Sequence, residues 1–307
     1  MKRQFPFYNR STQTARQISR ATQPLPEPKA IPEPKAIPKP MDIVVPEVGA
    51  DTIILTFTDF KYLPIFNIWY DHFQKLNLSN LLVVSLDQST YNDLQSRTIP
   101  TILCPYKINS RDAFWKFRLN AIYSIFKKSQ KNIIHTDSDC IWLKDIYNLI
   151  HDLPYDFIGS IERGHPFELS RKHGFITCCG FYYIKYNDQM IRMLENIMSQ
   201  SGHGVDDQVL FNYYMFDNKK EIIANPTELL EKEVLLNDGT KMVLLKGKLV
   251  DRYQCSSETY CFHPWLSSPV ISIKINQLQA LLRGGADNKA RRPLIMRKPR
   301  VASQVIN

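Results

Sequence analysis

Four short apolar runs that alternate with helical patterns constrain the fold of this sequence more than any other feature. The apolar runs lie at 52–57, 81–86, 98–104 and 132–136, and the helical patterns lie at 62–76, 89–96 and 110–128. Within the helical patterns, apolar residues recur with the spacing of one helix face. Nearly continuous apolar strands that alternate with helices are typical of a mostly parallel sheet covered on both sides. We therefore predict an α/β fold.

The second half of the chain is predicted to be less regular and partly antiparallel. Strands are predicted at 156–161 and 180–185, helices at 188–200 and 205–215, and a hairpin at 232–236 and 241–245. The hairpin is predicted because its two runs flank Asn237-Asp238-Gly239-Thr240, whose residues favour a tight turn. Residues 248–275 look irregular with short strands. No linker interrupts residues 49–282, so we predict one domain there.

The basic charge of the sequence lies in its two ends. The chain has 39 Lys and Arg residues against 30 Asp and Glu residues, a net charge of +9. Residues 1–40 carry 8 basic and 2 acidic residues, and residues 283–307 carry 7 and 1. The remainder has 24 basic and 27 acidic residues, a net charge of −3. The body is therefore not predicted to bind nucleic acid.

The two ends are predicted to be tails. The hexapeptide Pro-Glu-Pro-Lys-Ala-Ile occurs twice in succession, at 26–31 and 32–37. Such sequence favours polyproline II and lacks the apolar content for a core, so residues 1–48 are predicted to be disordered. This Pro- and Lys-rich segment is either a semi-rigid spacer or a docking site for a proline-binding partner. Residues 283–307 form a predicted basic C-terminal tail.

The sequence indicates a cytoplasmic location. It has no apolar run long enough to span a membrane, and its first residues lack the apolar core of a signal peptide. The six cysteines form no CxxC pair, and several lie in apolar surroundings, which is typical of reduced thiols. The sequence does not decide whether Cys255 and Cys261 form a disulfide.

The fourth apolar run leads directly into two acidic residues, Asp137 and Asp139. If strand geometry continues through them, both carboxylates point the same way, because alternate residues of a strand share a face. Ligands of open α/β sheets gather at the carboxyl ends of strands, where two carboxylates form half of a divalent cation site. The alternative is that both residues only cap local structure. An EF-hand is disfavoured, because Ile141 and Trp142 stand where its loop needs a ligand and a glycine.

Six motifs occur in an order that identifies a family. They are Thr56-Phe57-Thr58-Asp59 with Tyr62-Leu63, Val84-Ser85-Leu86-Asp87, Phe114-Trp115-Lys116-Phe117-Arg118, Thr136-Asp137-Ser138-Asp139-Cys140-Ile141-Trp142-Leu143, Cys179-Gly180-Phe181-Tyr182-Tyr183 and Val205-Asp206-Asp207-Gln208. As an ordered set, covering roughly residues 52–216, they resemble the nucleotide-diphospho-sugar transferase family, glycosyltransferases of the GT-A fold with an Asp-x-Asp motif. The resemblance implies a Rossmann-like mixed sheet that binds a sugar nucleotide at the carboxyl ends of its first four strands.

The resemblance implies that Asp137 and Asp139 bind a divalent metal ion together with the donor diphosphate. Such an ion stabilises charge on the leaving group as a Lewis acid. Oxygen ligands with an occasional imidazole suit Mn²⁺ or Mg²⁺. Enzymes of this fold often take a third ligand from near the carboxyl end, where His263 is the candidate. The alternative is a structural histidine.

Further residues are expected to bind the donor. The candidates are Thr56, Phe57, Asp59, Tyr62, Asp87, Lys116, Arg118, Gly180 and Gln208. For the residues that follow the first two strands, the alternative is a capped turn. Lys116 and Arg118 face either phosphate and ribose or the solvent.

Asp206 and Asp207 are expected to be catalytic, in contact with the transferred sugar or the acceptor. The alternative is that they cap a helix, since carboxylates favour a helix start. Cys178 and Cys179 precede Gly180 where relatives often carry a polar residue, a departure that leaves the sugar contacts open there.

The sequence thus favours a metal-dependent glycosyltransferase that moves a sugar from a UDP- or GDP-linked donor to a hydroxyl group of a glycan or protein. The resemblance implies retention of anomeric configuration. One alternative is a protein that binds nucleic acid or an anionic surface through its tails. Another is a nucleotidyltransferase or phosphatase that uses the same carboxylates.

Overall fold

The computed structural model describes residues 39–47, 49–106, 111–200, 205–266, 268 and 270–283. These residues form twelve strands and eight α-helices. The strands are β1 Thr52–Thr58, β2 Leu81–Ser85, β3 Thr101–Leu103, β4 Asn132–Thr136, β5 Ile141–Trp142, β6 Phe157–Glu162, β7 Ile176–Ile184, β8 Lys219–Ala224, β9 Leu230–Leu236, β10 Lys241–Leu245, β11 Val250–Asp251 and β12 Cys261–Phe262. The helices are α1 Leu63–Phe73, α2 Gln88–Ser96, α3 Arg111–Ser129, α4 Tyr147–Ile150, α5 Phe167–His173, α6 Asp188–Ser199, α7 Asp207–Asn218 and α8 Ile271–Leu282.

Nine of the strands form one mixed sheet in the order β3-β2-β1-β4-β7-β6-β10-β9-β8. The first four in this order are parallel, so their carboxyl ends share one edge. β7 runs antiparallel to both of its neighbours, and β8, β9 and β10 form an antiparallel meander that joins the sheet through parallel β6–β10 pairing. The predicted mixed α/β fold, with its antiparallel C-terminal part and hairpin, is confirmed.

The central strands are buried on both faces, as their continuous apolar sequence predicts. In β1, Ile53 and Leu55 belong to one hydrophobic core and Ile54 to another on the opposite face. The first core contains α3 residues such as Ile122, and the second contains α1 residues such as Trp69. Helices therefore cover both sides of the parallel part of the sheet.

The C-terminal region contains a helix that the sequence pattern did not indicate. Residues 248–275 were predicted to be irregular with short strands, and β11 and β12 do lie there, but α8 begins at Ile271. Ile271, Ile273 and Ile275 alternate like strand residues, which conceals the helical period. Leu278 is fully buried and anchors α8 on the second core.

A second, three-stranded sheet in the order β11-β12-β5 ties this region to the parallel half. Cys261 pairs with Trp142 and Phe262 with Ile141 in antiparallel register. The residue after β12 is thereby held beside the turn that precedes β5. This pairing places His263 near Asp139.

The packed body begins before residue 49. Ile43 is only 4% exposed and belongs to the first core. The backbone N–H of Met41 donates to Ser124 Oγ over 2.8 Å, and Lys128 Nζ donates to the carbonyl of Ile43 over 2.7 Å. Residues 41–43 are thus fixed to α3, and the tail residues 1–38 and 284–307 lie outside the described residues. None of the described helices has both the length and the apolarity needed to cross a membrane.

Candidate metal and nucleotide site

A turn, and not a continued strand, brings Asp137 and Asp139 together. β4 ends at Thr136, and the N–H of Asp137 donates to the carbonyl of Gly180 on β7 over 2.8 Å. The chain then closes a turn in which the N–H of Cys140 donates to the Asp137 carbonyl over 2.9 Å. The predicted convergence of the two carboxylates is thus produced by different backbone geometry from the one we assumed.

His263 completes a three-residue cluster with these carboxylates. Its Nε2 lies 3.4 Å from Asp139 Oδ1 and 3.8 Å from Asp137 Oδ2. The three residues each offer one ligand atom, and these atoms lie within 4.8 Å of one another. A purely structural role for His263 does not account for these contacts, because its ring faces two carboxylates.

The cluster fits a hard divalent cation. Burial and the nearby Arg252 guanidinium both lower the pKa of His263, yet its bond to Asp139 raises that pKa well above the usual value. Asp139 thus attracts positive charge strongly. Two carboxylates and one imidazole form a donor set that suits Mn²⁺ or Mg²⁺.

Gly180 is required for this arrangement. A Cβ at this position would lie 2.1 Å from His263 Cε1 and 2.8 Å from Asp137 Oδ2. Any larger residue would push the imidazole away from the carboxylates. The motif position predicted to bind substrate therefore serves first to make room for the histidine.

Tyr62 and Lys274 lie on the Asp139 side of the cluster. The Tyr62 hydroxyl donates to Asp139 Oδ2 over 2.6 Å, and Lys274 Nζ from α8 donates to the same hydroxyl over 3.4 Å. Burial, together with Asp139, raises the pKa of Tyr62, so it remains a neutral donor. Tyr62, a predicted donor-binding residue, thus orients Asp139 through this hydrogen bond.

Arg118 lies inside the protein and joins Asp137 to Asp207. Its side chain is 5% exposed, Nη1 donates to Asp137 Oδ1 over 2.8 Å, and Nε donates to Asp207 Oδ2 over 2.9 Å. Burial alone would raise the pKa of Asp137, but the guanidinium lowers it below the usual range. The solvent-facing alternative for Arg118 is therefore wrong. Arg118 keeps Asp137 ionised.

His135, which the sequence did not single out, also borders Asp137. Its Nε2 lies 3.3 Å from Asp137 Oδ1, without the alignment of a hydrogen bond. Burial lowers the pKa of His135, so this imidazole is neutral near pH 7. It lies edge-on to Phe57, with ring centroids 5.8 Å apart. Phe57 itself is a buried core residue.

The other candidates that follow the first two strands mostly form turns. Asp87 caps α2 by accepting from the N–H of Thr90 over 2.8 Å, and its second oxygen accepts from the N–H of Phe60 over 2.7 Å. Asp59 accepts from the N–H of Tyr62 over 2.7 Å. Both therefore match the capped-turn alternative. Thr56 is fully buried, and its hydroxyl has no hydrogen-bond partner among the described residues.

Asp206 and Asp207 have different environments. Asp206 caps α7 through the N–H of Val209 over 2.8 Å, and its other oxygen lies 3.2 Å from His165 Nε2. Asp207 is 4% exposed and is bound to Arg118. Lys116 is half-buried and lines a small depression with Asp207. The helix-cap alternative thus describes Asp206, and ion pairing describes Asp207.

Gln208 joins α7 to two other segments. Its Oε1 accepts from the N–H of Cys179 over 3.1 Å, and its Nε2 donates to the carbonyl of His165. These two bonds fix the Gln208 side chain between β7 and His165.

Three residues behind His263 escaped sequence reasoning as site residues. Arg252 Nε contacts Glu162 Oε2 at 2.6 Å, and Arg252 Nη1 lies 2.9 Å from Cys178 Sγ. Cys178 was noted only as a departure from relatives. Glu162 and Arg252 belong to no motif, and nothing in the sequence indicates that they pair.

Comparison with known protein families covers most of these site residues in a single match. The family model described as nucleotide-diphospho-sugar transferase matches residues 76–261, which include Asp137, Asp139 and Asp207. This protein belongs to the nucleotide-diphospho-sugar transferase family. The match ends just before His263. A search of curated proteins gave no match.

Several solved glycosyltransferase structures are similar to this chain. The glycosyltransferase GlyE of Streptococcus pneumoniae TIGR4 is 12% identical with a TM-score of 0.45, over 74% of this chain and 63% of GlyE. Mouse xyloside xylosyltransferase 1 is 11% identical with a TM-score of 0.44, over 72% of this chain and 100% of that chain. Galactosyltransferase LgtC is 10% identical with a TM-score of 0.43, over 74% of this chain and 94% of that chain. This chain thus spans less than two thirds of GlyE.

Proposed function

We propose that this protein is a metal-dependent glycosyltransferase. It transfers a sugar from a UDP- or GDP-linked donor to a hydroxyl group of a glycan or protein, and it uses Mn²⁺ or Mg²⁺ held by Asp137, Asp139 and His263. The observation that supports this best is the convergence of those three side chains at the carboxyl edge of a parallel sheet. That edge is where open α/β sheets bind nucleotides.

The chemistry of the donor explains why such a cluster is needed. Breaking the bond between the anomeric carbon and the diphosphate leaves negative charge on the leaving oxygens. A bound divalent ion supplies Lewis-acid stabilisation of that charge. Arg118 keeps Asp137 ionised, and Tyr62 orients Asp139. These residues fix the carboxylates in place before any ligand binds.

The sugar and the acceptor are proposed to bind beside α7. Asp206 and His165 form a partly exposed pair there, with side chains 27% and 45% exposed. Gln208 is fixed between β7 and His165. Asp207 is proposed to act through Arg118, or to turn toward the sugar when donor binds. Transfer with retention is proposed from family membership, and the anomeric configuration of the product tests it.

A thermal-shift series tests the proposed function. UDP-, GDP- and CDP-sugars should be added to the full chain with Mn²⁺, with Mg²⁺ and with EDTA. We expect one class of nucleotide sugar to raise the melting temperature only when the metal is present, because the diphosphate and the cation bind together. A protein that no nucleotide sugar stabilises under any of these conditions would contradict the proposal.

Product analysis separates the proposal from its alternatives. A glycosyltransferase without acceptor should release free sugar and nucleoside diphosphate from the matching donor. A nucleotidyltransferase would instead consume a nucleoside triphosphate, and a phosphatase would cleave a phosphate monoester. We also propose that the protein works in the cytoplasm, which its six free thiols support.

A further inference from the structure

Two buried side chains and one partly buried side chain form a layer behind His263, on the side away from the carboxylates. Cys178 is 3% exposed and Glu162 is 6% exposed, and the Arg252 side chain is 13% exposed. Arg252 Nε contacts Glu162 Oε2 at 2.6 Å, and Arg252 Nη1 donates to Cys178 Sγ over 2.9 Å. His263 Nδ1 lies 3.7 Å from Cys178 Sγ and 3.1 Å from Arg252 Nη1.

The bonding needs of an imidazole decide what this layer can do. When Nε2 uses its lone pair to bind a metal ion, a neutral imidazole carries its proton on Nδ1. That N–H needs an acceptor, and metal-bound histidines nearly always have one. Among the described residues, the polar groups that contact Nδ1 are the guanidinium of Arg252, which has no acceptor atom, and the sulfur of Cys178.

We propose that Cys178 is a positioning residue for the metal site. Its sulfur accepts the Nδ1–H of His263 and so aims Nε2 at the cation, while Arg252, held by Glu162, fixes the sulfur. This inference rests on the proposed function, because it requires that Asp137, Asp139 and His263 bind a metal ion.

The backbone supports a role for position 178 that position 179 cannot share. Cys178 Sγ lies 3.7 Å from His263 Nδ1, and a Cβ on Gly180 would lie 2.1 Å from His263 Cε1, so both of these β7 positions face His263. Cys179 lies on the opposite face and belongs to the first core. Arg252 can give up its contact with Nδ1 and still keep its ion pair with Glu162 and its hydrogen bond to Cys178. The two neighbouring thiols therefore form a matched pair for a test.

Manganese affinity of the full chain tests the proposal without measuring catalysis. Mn²⁺ binding should be followed by electron paramagnetic resonance for wild type, Cys178→Val, Cys178→Ser and Cys179→Val, in the presence of UDP or GDP. We expect Cys178→Val to bind Mn²⁺ about 10- to 100-fold more weakly, because it fills the space but removes the acceptor. Cys178→Ser should stay within a few-fold of wild type, because its hydroxyl accepts a hydrogen bond. Cys179→Val should also stay near wild type.

A second readout reports on His263 itself. Electron spin echo modulation from an imidazole nitrogen should be strong for Mn²⁺ bound to wild type and to Cys178→Ser, and weak for Cys178→Val. If Cys178→Val keeps wild-type affinity and modulation, the positioning role is wrong while the metal site stands. The role is also wrong if the serine variant loses affinity and the valine variant does not, since packing would then be the function of Cys178. A wild-type protein that binds no Mn²⁺ would overturn the metal site and this inference together.

Discussion

At the scale of single residues, Arg118 has the most demanding environment of the site. It is a buried cation that neutralises two carboxylates from different elements, Asp137 after β4 and Asp207 at the start of α7. Buried ion pairs add little net stability, but removing one partner leaves a charge that neither water nor protein compensates. A substitution that removes one of these three charges should therefore cost more stability than the intact ion pairs contribute.

This environment predicts losses of stability of different size for two adjacent acids. Asp207→Asn should lower the free energy of unfolding by about 3 kcal/mol, the lower end of the cost of breaking a buried pair, because Asp137 still faces Arg118. Asp206→Asn should cost less than about 1 kcal/mol, because Asn caps a helix nearly as well and the bond to His165 is partly exposed. Urea unfolding of both variants measures the difference. Equal losses would show that Asp207 is not the buried partner of Arg118.

The transfer rate of the Asp206→Asn variant tests whether Asp206 takes part in catalysis. A drop in turnover for Asp206→Asn at unchanged stability would support contact with sugar or acceptor. Full activity in that variant would leave Asp206 as a helix cap only.

Asp139→Ala should abolish most of the metal dependence of nucleotide binding. The variant removes a proposed ligand from the proposed metal site, and losing one interaction that stabilises charge in a transition state typically lowers the rate about 10²- to 10³-fold, or about 3–4 kcal/mol. Folding should survive, because the change relieves repulsion between two carboxylates. Titrating Mn²⁺ against UDP or GDP binding measures the effect. Asp152→Ala, at a side chain that is 89% exposed, is the matched control. Unchanged metal dependence in Asp139→Ala would place the metal elsewhere.

The sequence predicted some contacts of the candidate site and missed others, for physical reasons. The proximity of Asp137 and Asp139 was predicted because both follow a buried strand, and the family resemblance pointed to His263 as their neighbour. The burial of Arg118 was not predicted, because a charged residue on a helix gives no sign of which face meets partners. Cys178 and Arg252 lie 74 residues apart, and only the folded chain brings them together.

At the scale of elements, the small β11-β12-β5 sheet decides where His263 lies. Its strands have two residues each, too short for any periodic pattern to predict. α8 was concealed because β-branched residues alternate in its first turns. By contrast, α1, α2, α3 and the buried parallel strands were predicted close to their observed bounds, because each repeats one pattern over several residues.

The cap of α2 gives a prediction for pH. Burial would raise the pKa of Asp87, but bonds from the N–H groups of Thr90 and Phe60 and from the Thr90 hydroxyl lower it below its ordinary 3.8. A lowered folded-state pKa means that the stabilisation is fully present above 3.8 and is lost as pH falls through the folded-state value. Asp87→Ala should therefore cost about 1 kcal/mol near neutral pH, and this difference should shrink in acid.

Urea unfolding across a pH series checks this sign. Asp87→Asn is the control, because its amide oxygen accepts the same N–H bonds but does not titrate. The wild-type advantage over Asp87→Asn should also fall in acid. An advantage over both variants that grows as pH falls would contradict the assignment.

At the scale of the whole molecule, the two hydrophobic cores and the distribution of charge were predictable, but the N-terminal boundary was not. Residues 41–45 are too few to show a period, and the sequence before them is rich in proline and lysine. The burial of Ile43 and the hydrogen bonds that join Met41 and Ile43 to α3 show that this segment belongs to the body.

This boundary predicts different outcomes for two deletions. Removing residues 1–38 should leave the free energy of unfolding and donor hydrolysis unchanged, because Met41, Ile43 and the contacts of Lys128 remain. Removing residues 1–48 should destabilise the protein by about 2–5 kcal/mol, the usual cost of emptying a buried aliphatic site. Ile43→Ala in the full chain is the matched control, since it deletes the same side chain and leaves the tail in place. Calorimetric melting and urea unfolding of all three proteins, together with donor hydrolysis, provide the measurement.

If the 1–38 deletion slows transfer only to a large acceptor, the Pro- and Lys-rich segment acts in docking. If the 1–48 deletion and Ile43→Ala both melt like wild type, the packing of Ile43 on α3 does not contribute to stability and the body begins at residue 49.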